Sequence, residues 1–365
     1  MLEKIVSISF YLIICLFLVF FARNIDRNRK EKFFLWMIIL TLTVVSGLRH
    51  QTVGIDTYGY VEIISKLRDG YLPKISNVNE QGFLVLSYII VNISEGYTLA
   101  LLVYAFITNA LILLRLYDYK EKISISWAVF IYYMVFYFTS FNTIRQWLAM
   151  AIVFYATRYI GKNVKSNIRY IIFVIFAILM HTTAIFALFF IPVYYFTLNS
   201  RNKKQLIRKI VMLLLSIFVG AVIYTILVSR YSSYFSSEFY GDMSGLNILL
   251  VMFVIFIILY DNNWKIIIQK PGSNINNGVM TSIKFESVAF FFGIILTLMV
   301  LFFRYADRVG QYFLLFELVF FPYYIKKDRT RYITIAFVVF ICAYLRFSSF
   351  LSSGYGEVPY LPFWM

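Results

Sequence analysis

Charge is what this sequence has least of. Only 14% of its 365 residues are Asp, Glu, Lys or Arg, where a soluble globular chain carries about a quarter. With 61% hydrophobic residues and a mean hydropathy of +0.77, this excludes a single soluble domain or a disordered chain. What remains is a polytopic membrane protein. There are two cysteines, Cys15 and Cys342, each inside an apolar run. They make no disulfide framework and no metal-ligand spacing. The only histidines are His50 and His181, which argues against a histidine-rich metal site. No paired-carboxylate motif for a divalent ion stands out, so no cofactor is expected. A Walker loop, a dinucleotide fingerprint and a nucleophile elbow are all missing. No soluble domain, linker, low-complexity tract or clear internal repeat interrupts the chain. A two-fold repeated transporter is thus unsupported, and 1–365 reads as a single transmembrane domain.

Apolar runs near the length of a bilayer span, about 17–20 residues, occupy 5–22, 33–48, 97–114, 123–140, 143–160, 206–228, 246–260, 285–303, 309–325 and 332–347. The stretch 168–199 is too long for one helix and is broken at His181-Thr182-Thr183, so it reads as two short helices. The run 83–93 is too short to span and reads as re-entrant or interfacial, while 56–68 has the pattern of an amphipathic surface helix. The predicted fold is all-α, with about twelve transmembrane helices and short re-entrant or interfacial helices on the outer face.

The net charge is +16, from 34 Lys+Arg against 18 Asp+Glu. In a soluble protein that excess suggests nucleic acid; here it reads as basic cytoplasmic loops, and no nucleic-acid partner is expected. Arg23, Arg27, Arg29, Lys30 and Lys32 fill the first such loop. Others are Arg201–Lys209, Lys326–Arg331 and, more weakly, 115–122, 158–169 and 261–284. Alternation then leaves 49–82 and 229–245 as long outer loops, forming a substrate-facing cap, with both termini outside. Residues 5–22 resemble a signal peptide, but a basic run follows them and no small-residue cleavage site does, so they read as a helix.

Against this topology a few cations stand at outer helix ends: Arg49, His50, Arg145, His181, Arg304 and Arg308. Outward arginines need a reason. Arg304 and Arg308, four apart, share one helix face, which Tyr312 continues, with Asp307 and Gln311 beside it. Guanidinium forks suit bidentate phosphate binding, so several facing one cavity would make a pyrophosphate site. Plainer readings stand beside this one. Arg49 reads equally as snorkelling into headgroups, Arg304 as a partner of Asp307 or Asp56, and His181 as a hydrogen-bonded core residue. Arg145 follows Asn142, a candidate N-cap; a cation near a helix N-terminus opposes the dipole, which favours a functional cause. Glu317 falls mid-span and reads as structural. The aromatics, 20% of the chain, are mostly packing and lipid contact; those of 229–245 are candidates for sugar stacking.

The outer-end motifs carry a resemblance. SGLRHQTVGIDTYGYVE (46–62), FNTIRQWLAMAIVFYATRYI (141–160), LMHTTAIFAL (179–188), RYADRVGQYF (304–313) and VPYLPF (358–363), in this order, resemble the EpsG-like branch of the Wzy-type polysaccharide polymerases. The resemblance runs from about residue 40 to the C-terminus, although the Glu80-Gln81-Gly82 segment lacks the proline expected beside it. It implies a multi-pass glycosyltransferase of the bacterial cytoplasmic membrane with an outward-facing active site. The substrate would be a polyprenyl-pyrophosphate-linked oligosaccharide, and a chain-length regulator is a further implied partner besides the bilayer. The growing chain would pass from its lipid carrier to the sugar of an incoming unit, releasing polyprenyl pyrophosphate. Arg49, Arg145, Arg304 and Arg308 would bind the pyrophosphate without a metal. Tyr60, Glu80, Gln146, Tyr312 and Tyr360 would face substrate. An attacking hydroxyl benefits from a general base, for which His181 and Asp56 are the candidates, His181 preferred. Three rivals remain: a lipid-linked oligosaccharide flippase, a glycan ligase and an acyltransferase using His181. The clustering of unusual cations at one membrane face favours surface chemistry over transport.

Overall fold

A computed structural model of the protein describes residues 2–71, 80–94, 96–197, 283–298, 306–327, 330–352, 354 and 356–364. Among these residues the chain is helical. In order come α1 (Leu2–Asp26), α2 (Glu31–Gly47), α3 (Thr57–Arg68), α4 (Gln81–Val91), α5 (Tyr97–Tyr117), α6 (Ile125–Ile131), α7 (Ile144–Ala156), α8 (Val164–Met180) and α9 (Phe190–Thr197). Then follow α10 (Lys284–Leu298), α11 (Ala306–Leu314), α12 (Glu317–Lys326) and α13 (Arg331–Ser352). The expected spans 206–228 and 246–260, the loops at 201–209 and 229–245, and Arg304 lie outside the described residues.

Three described helices are long and apolar enough to cross a membrane: α1, α5 and α13. Their outward faces are greasy. Leu12, Ile13, Leu16, Phe17 and Phe20 of α1 and Val339, Phe340, Tyr344 and Phe347 of α13 are all exposed, which suits hydrocarbon and not water. The protein is a membrane protein. The run 83–93 forms α4, whose 11 residues extend about 16 Å at 1.5 Å each, half a bilayer core. The amphipathic helix expected over 56–68 is α3, with Tyr60, Val61, Ile64 and Leu67 on its buried side.

One expectation is corrected. The run 309–325 is not one helix: a turn at Leu315-Phe316 separates α11 from α12. Glu317 consequently opens a helix. A carboxylate in a first helical turn meets the positive end of the dipole. Pro322, further along α12, cannot supply the backbone N–H that would close the turn before it.

Packing divides the chain into two units, the first made of Met1–Tyr155, Ile175–Thr182 and Phe321–Met365, the second of Ala156–Val174 and Thr183–Phe320. In the first, α1 packs on α2 and α6, and α2 on α5. After α6 the helix widens into a π-helix over Tyr132–Tyr137 and tightens into a 3-10 turn over Phe138–Phe141. Three buried tyrosines fix this irregular segment. Tyr132 donates to Asn109 Oδ1 at 2.7 Å, Tyr133 to the Tyr11 carbonyl at 2.9 Å and Tyr137 to the Leu42 carbonyl at 2.7 Å.

The first unit has two chemically different ends. At one, Asp26 closes α1 and caps α6, accepting from Ile125 N at 2.7 Å and Ser126 N at 3.0 Å. Glu31, opening α2, binds Lys120 and Tyr117. Lys326 donates to the carbonyls of Lys120, Glu121 and Ile123. The basic loops at 23–32, 115–122 and 326–327 therefore share this end. At the other end lie the start of α1, the end of α2, α3, the beginnings of α4 and α7, and the end of α13.

In the second unit Phe190 meets Phe285, Phe313 and Phe316 edge-on, joining α9, α10 and the turn after α11. Tyr170 donates to the Ala187 carbonyl at 2.6 Å, bracing the 3-10 segment Thr182–Phe189.

Candidate active site

The end of the first unit opposite the basic loops is built on short helices. Tyr60, Ile64 and Leu67 recur along α3 at helical spacing and pack with Phe83 and Leu84 of α4, Leu101 and Tyr104 of α5, and Ile144 and Leu148 of α7. Ser87 and Tyr104 share a buried hydroxyl–hydroxyl hydrogen bond of 2.7 Å. Gly82 permits the next contact. A Cβ there would lie 2.7 Å from Leu179 Cβ and 3.0 Å from the Leu179 carbonyl oxygen, so the first turn of α4 rests on the last turn of α8. His181 follows directly where α8 ends. It is buried, its backbone N–H donating to the Ala177 carbonyl at 2.9 Å.

This packing brings together two sequence-predicted residues that are 65 positions apart. Glu80 immediately precedes α4 and Arg145 is the second residue of α7. Arg145 Nη1 donates to Glu80 Oε2 at 2.7 Å. The carboxylate side chain is only 7% exposed, the arginine 27%. The guanidinium carbon lies 5.8 Å from the Tyr60 ring centre and 5.9 Å from that of Phe83, a cation held against two π faces. Burial raises the Tyr60 phenol's pKa while Arg145 pulls it down. The net shift is upward, so Tyr60 keeps its proton, while its oxygen accepts a hydrogen bond from Arg145. Gln146, next to Arg145, is buried.

Arg49 has a different environment. It is 1% exposed. Its Nε donates to the Val53 carbonyl at 3.2 Å, Nη1 to the Ser46 carbonyl and hydroxyl, and Nη2 to Thr57 Oγ1 at 3.4 Å and the Phe141 carbonyl at 3.1 Å. All five N–H groups of the fork thus find neutral oxygens within the fold, and the cation stacks on Phe141 at 4.6 Å. It clamps the end of α2, the 53–57 turn and the 3-10 segment to one another. A small pocket lies beside it, lined by Ser46, Tyr104, Thr108, Ser140 and Ile144. Asp56 is exposed at the residue before α3, its backbone N–H donating to Asn142 Oδ1 at 3.4 Å.

The C-terminal segment crosses this region as a strap. His50 N donates to the Leu361 carbonyl and Phe363 N to the Leu48 carbonyl, both at 2.8 Å, so Arg49 and Pro362 form an isolated antiparallel bridge. Gly54 N donates to the Gly356 carbonyl at 2.8 Å. Gly356 has φ +68°, and a Cβ there would stand 3.0 Å from Ile55 N, so both its backbone angle and this close approach call for glycine. The Tyr360 hydroxyl donates to the Val45 carbonyl at 3.1 Å. Burial pushes its pKa up to about 12, against the opposing pull of Arg49, which keeps it a donor.

Two residues that the sequence reading passed over anchor the strap. Arg346 and Glu357 are 3% and 0% exposed and pair at 3.3 Å. Arg346 also donates to the Met134 carbonyl, Ser349 to Glu357, and the Tyr11 hydroxyl to the Glu357 carbonyl at 2.8 Å. One signal was available: Arg346 is an arginine at the outer end of an expected span, as Arg49 is.

The remaining expected residues lie in the second unit. Tyr312 is buried and accepts from Thr183 Oγ1 at 3.2 Å. Arg308 is exposed in the first turns of α11, with Asp307 half-buried beside it. Among the described residues no three His, Cys, Asp or Glu side chains gather as they would around a metal ion.

No curated protein and no solved structure matches the chain. A protein-family model does, over residues 32–362, and by that match the chain belongs to the EpsG family.

Proposed function

We propose that the protein is a membrane glycosyltransferase that polymerises polyprenyl-pyrophosphate-linked oligosaccharide repeats at the outer face of the bacterial cytoplasmic membrane. EpsG-family membership supports a polysaccharide-polymerase type of membrane protein. The observation that carries the chemistry is the Arg145–Glu80 pair, a part-exposed cation and a buried carboxylate at the end away from the basic loops. Basic loops mark the cytoplasmic side, so this site faces outward in the proposed orientation.

In the reaction the acceptor sugar's hydroxyl oxygen attacks the anomeric carbon of the growing chain. The carbon–oxygen bond to pyrophosphate breaks and its electron pair leaves on the phosphate oxygen. A guanidinium stabilises that developing charge best in a site from which water is excluded. Arg145 supplies one such group; Arg308 and Arg304 are proposed separately as pyrophosphate-binding residues. Arg49 holds the loop that carries Asp56 and α3, its five donors already engaged. His181 and Asp56 remain candidates for handling the hydroxyl proton.

The test is a polymerisation assay. The purified protein in proteoliposomes is given lipid-linked repeats extracted from cells lacking it. A ladder of longer lipid-linked glycans is expected. Transfer of a single unit to a different lipid would indicate a ligase, and covalently unchanged substrate moved across the bilayer a flippase.

A further inference from the structure

The Arg145–Glu80 pair has a feature that a fixed structural salt bridge does not need. Its two halves are unequally accessible, the arginine being 27% exposed and the carboxylate 7%. A ligand arriving from outside meets the cation first. A diphosphate carries more charge than a single carboxylate and offers several oxygens to the planar fork. It can therefore compete for the guanidinium. Arg145 has a long side chain, flanked by the Tyr60 and Phe83 rings and hydrogen-bonded to Tyr60, a neutral partner that holds it less firmly than a diphosphate would. The backbone that carries the carboxylate does not follow it. Glu80 stands immediately before α4, and the backbone of that helix is held against α8 by the Gly82–Leu179 contact. When the guanidinium turns to a diphosphate, Glu80 is left in a buried place without that partner.

We propose that Glu80 is the base of the transfer reaction and that Arg145 masks it until a diphosphate draws the guanidinium away. This rests on the polymerase reading above. With the guanidinium drawn off, the Glu80 oxygen that accepted from Arg145 is open to the acceptor hydroxyl when the donor substrate is bound. The gap between the parted side chains receives the anomeric carbon, with the carboxylate on one side and the arginine-bound diphosphate on the other. The acceptor O–H gives its proton to Glu80 Oε2, and its oxygen forms the new bond to the anomeric carbon. The bond from that carbon to the diphosphate oxygen breaks, its electron pair leaving on the diphosphate next to Arg145. The products are the extended glycan, polyprenyl diphosphate and a protonated Glu80, which returns its proton to water when Arg145 swings back. Without donor the base stays occupied, which suppresses proton abstraction from idle acceptors or water. His181, just after α8, then does not take the proton.

Glu80→Gln tests this on the full-length protein with two readouts. Farnesyl diphosphate is the binding probe, followed by the fluorescence of Trp147, two residues from Arg145. The ladder assay measures turnover. Glu80→Gln removes the competitor's charge but keeps an amide oxygen for the arginine. Diphosphate binding should tighten roughly tenfold, while turnover should fall on the order of 100-fold or more, the usual span of general-base catalysis. A purely structural pair moves both readouts the same way. Turnover above a tenth of wild type, or weaker or unchanged diphosphate binding, overturns the proposal. If Glu80→Gln does not fold, Glu80→Ala assayed with added formate replaces it, and failure of formate to restore any turnover overturns the proposal equally. If the wild-type protein itself yields no ladder, the polymerase reading has failed. If wild type and Glu80→Gln give equal ladders, only the base assignment has.

Discussion

The strap offers the sharpest test of how this end of the protein is held together. Consider Glu357→Leu. In the native protein the carboxylate is fully buried, faces Arg346 at 3.3 Å and accepts the Ser349 hydroxyl. Removing it leaves the 3%-exposed Arg346 without its carboxylate, its charge facing the Met134 carbonyl and the Phe138 and Phe350 rings, 4.3 and 5.5 Å away. Breaking one side of a buried pair costs about 3–5 kcal/mol, because the surviving charge is stranded. The orphaned Ser349 hydroxyl adds about 1 kcal/mol at most, since a helical serine can turn to its own backbone. The double variant Arg346→Met/Glu357→Leu removes both charges, and with them the stranding term. Replacement of a whole buried pair by apolar groups is near neutral or stabilising, so the double variant should recover most of the loss.

The protein's own thiols supply the assay. Cys15 and Cys342 are free and buried, so a thiol-reactive dye reports unfolding directly during a thermal ramp in detergent. The single variant should melt several degrees below wild type and the double variant should return most of the way. Equal losses in both would refute the reasoning: the effect would then be one of packing and not of an uncompensated charge. Because the strap's carbonyls receive His50 N and Gly54 N, the single variant should also lose polymerising activity below its melting range.

Other consequences are open to test. Arg308→Lys keeps the charge but loses the planar fork, so turnover should fall about tenfold or more with expression unchanged, and wild-type turnover would remove Arg308 from the pyrophosphate site. His181→Ala and Asp56→Asn should each reduce ladder formation, but by less than Glu80→Gln; a dead His181→Ala beside an active Glu80→Gln would restore histidine as the base. Cysteines placed at exposed Tyr58 and Glu121, in a background lacking Cys15 and Cys342, should label respectively from outside intact cells and only after permeabilisation; the opposite pattern inverts the orientation.

Much of the frame was legible because it depends on residue type along one element. Length and apolarity mark α1, α5 and α13. The spacing of Tyr60, Ile64 and Leu67 marks α3, and the polar residues at His181-Thr182-Thr183 mark the break after α8. Basic residues mark the loops that gather at one end of the first unit. What could not be read depends on chain reversal or on partners with no side-chain signature. Four of Arg49's five N–H groups point at atoms of Ser46, Val53 and Phe141, three of those acceptors being backbone carbonyls, which every residue carries. The Arg346–Glu357 pair needs the chain to turn back after α13, and Glu80 meets Arg145 because α4 packs against α7, far away in sequence. The turn at Leu315-Phe316 was hidden because both residues are as apolar as the helices they separate.

The arginines at the end of the first unit away from the basic loops, alike in the sequence, are sorted by what answers their charge. Neutral oxygens answer Arg49, each one part of the backbone or a hydroxyl the fold already orders. Displacing them would leave several buried polar groups unpaired, at about 1–3 kcal/mol apiece, so an anion gains little by drawing that arginine out. Arg346 is answered by a carboxylate with no exposure at all, so no ligand reaches it without unfolding the strap. Arg145 alone of these three combines partial exposure with a carboxylate partner, Glu80, that an incoming anion could replace. An arginine in the first arrangement holds a loop, in the second it locks a terminus, and in the third it can trade one anion for another. Trading is what a pyrophosphate-releasing site requires, since the leaving group must be bound as its charge develops and let go afterwards.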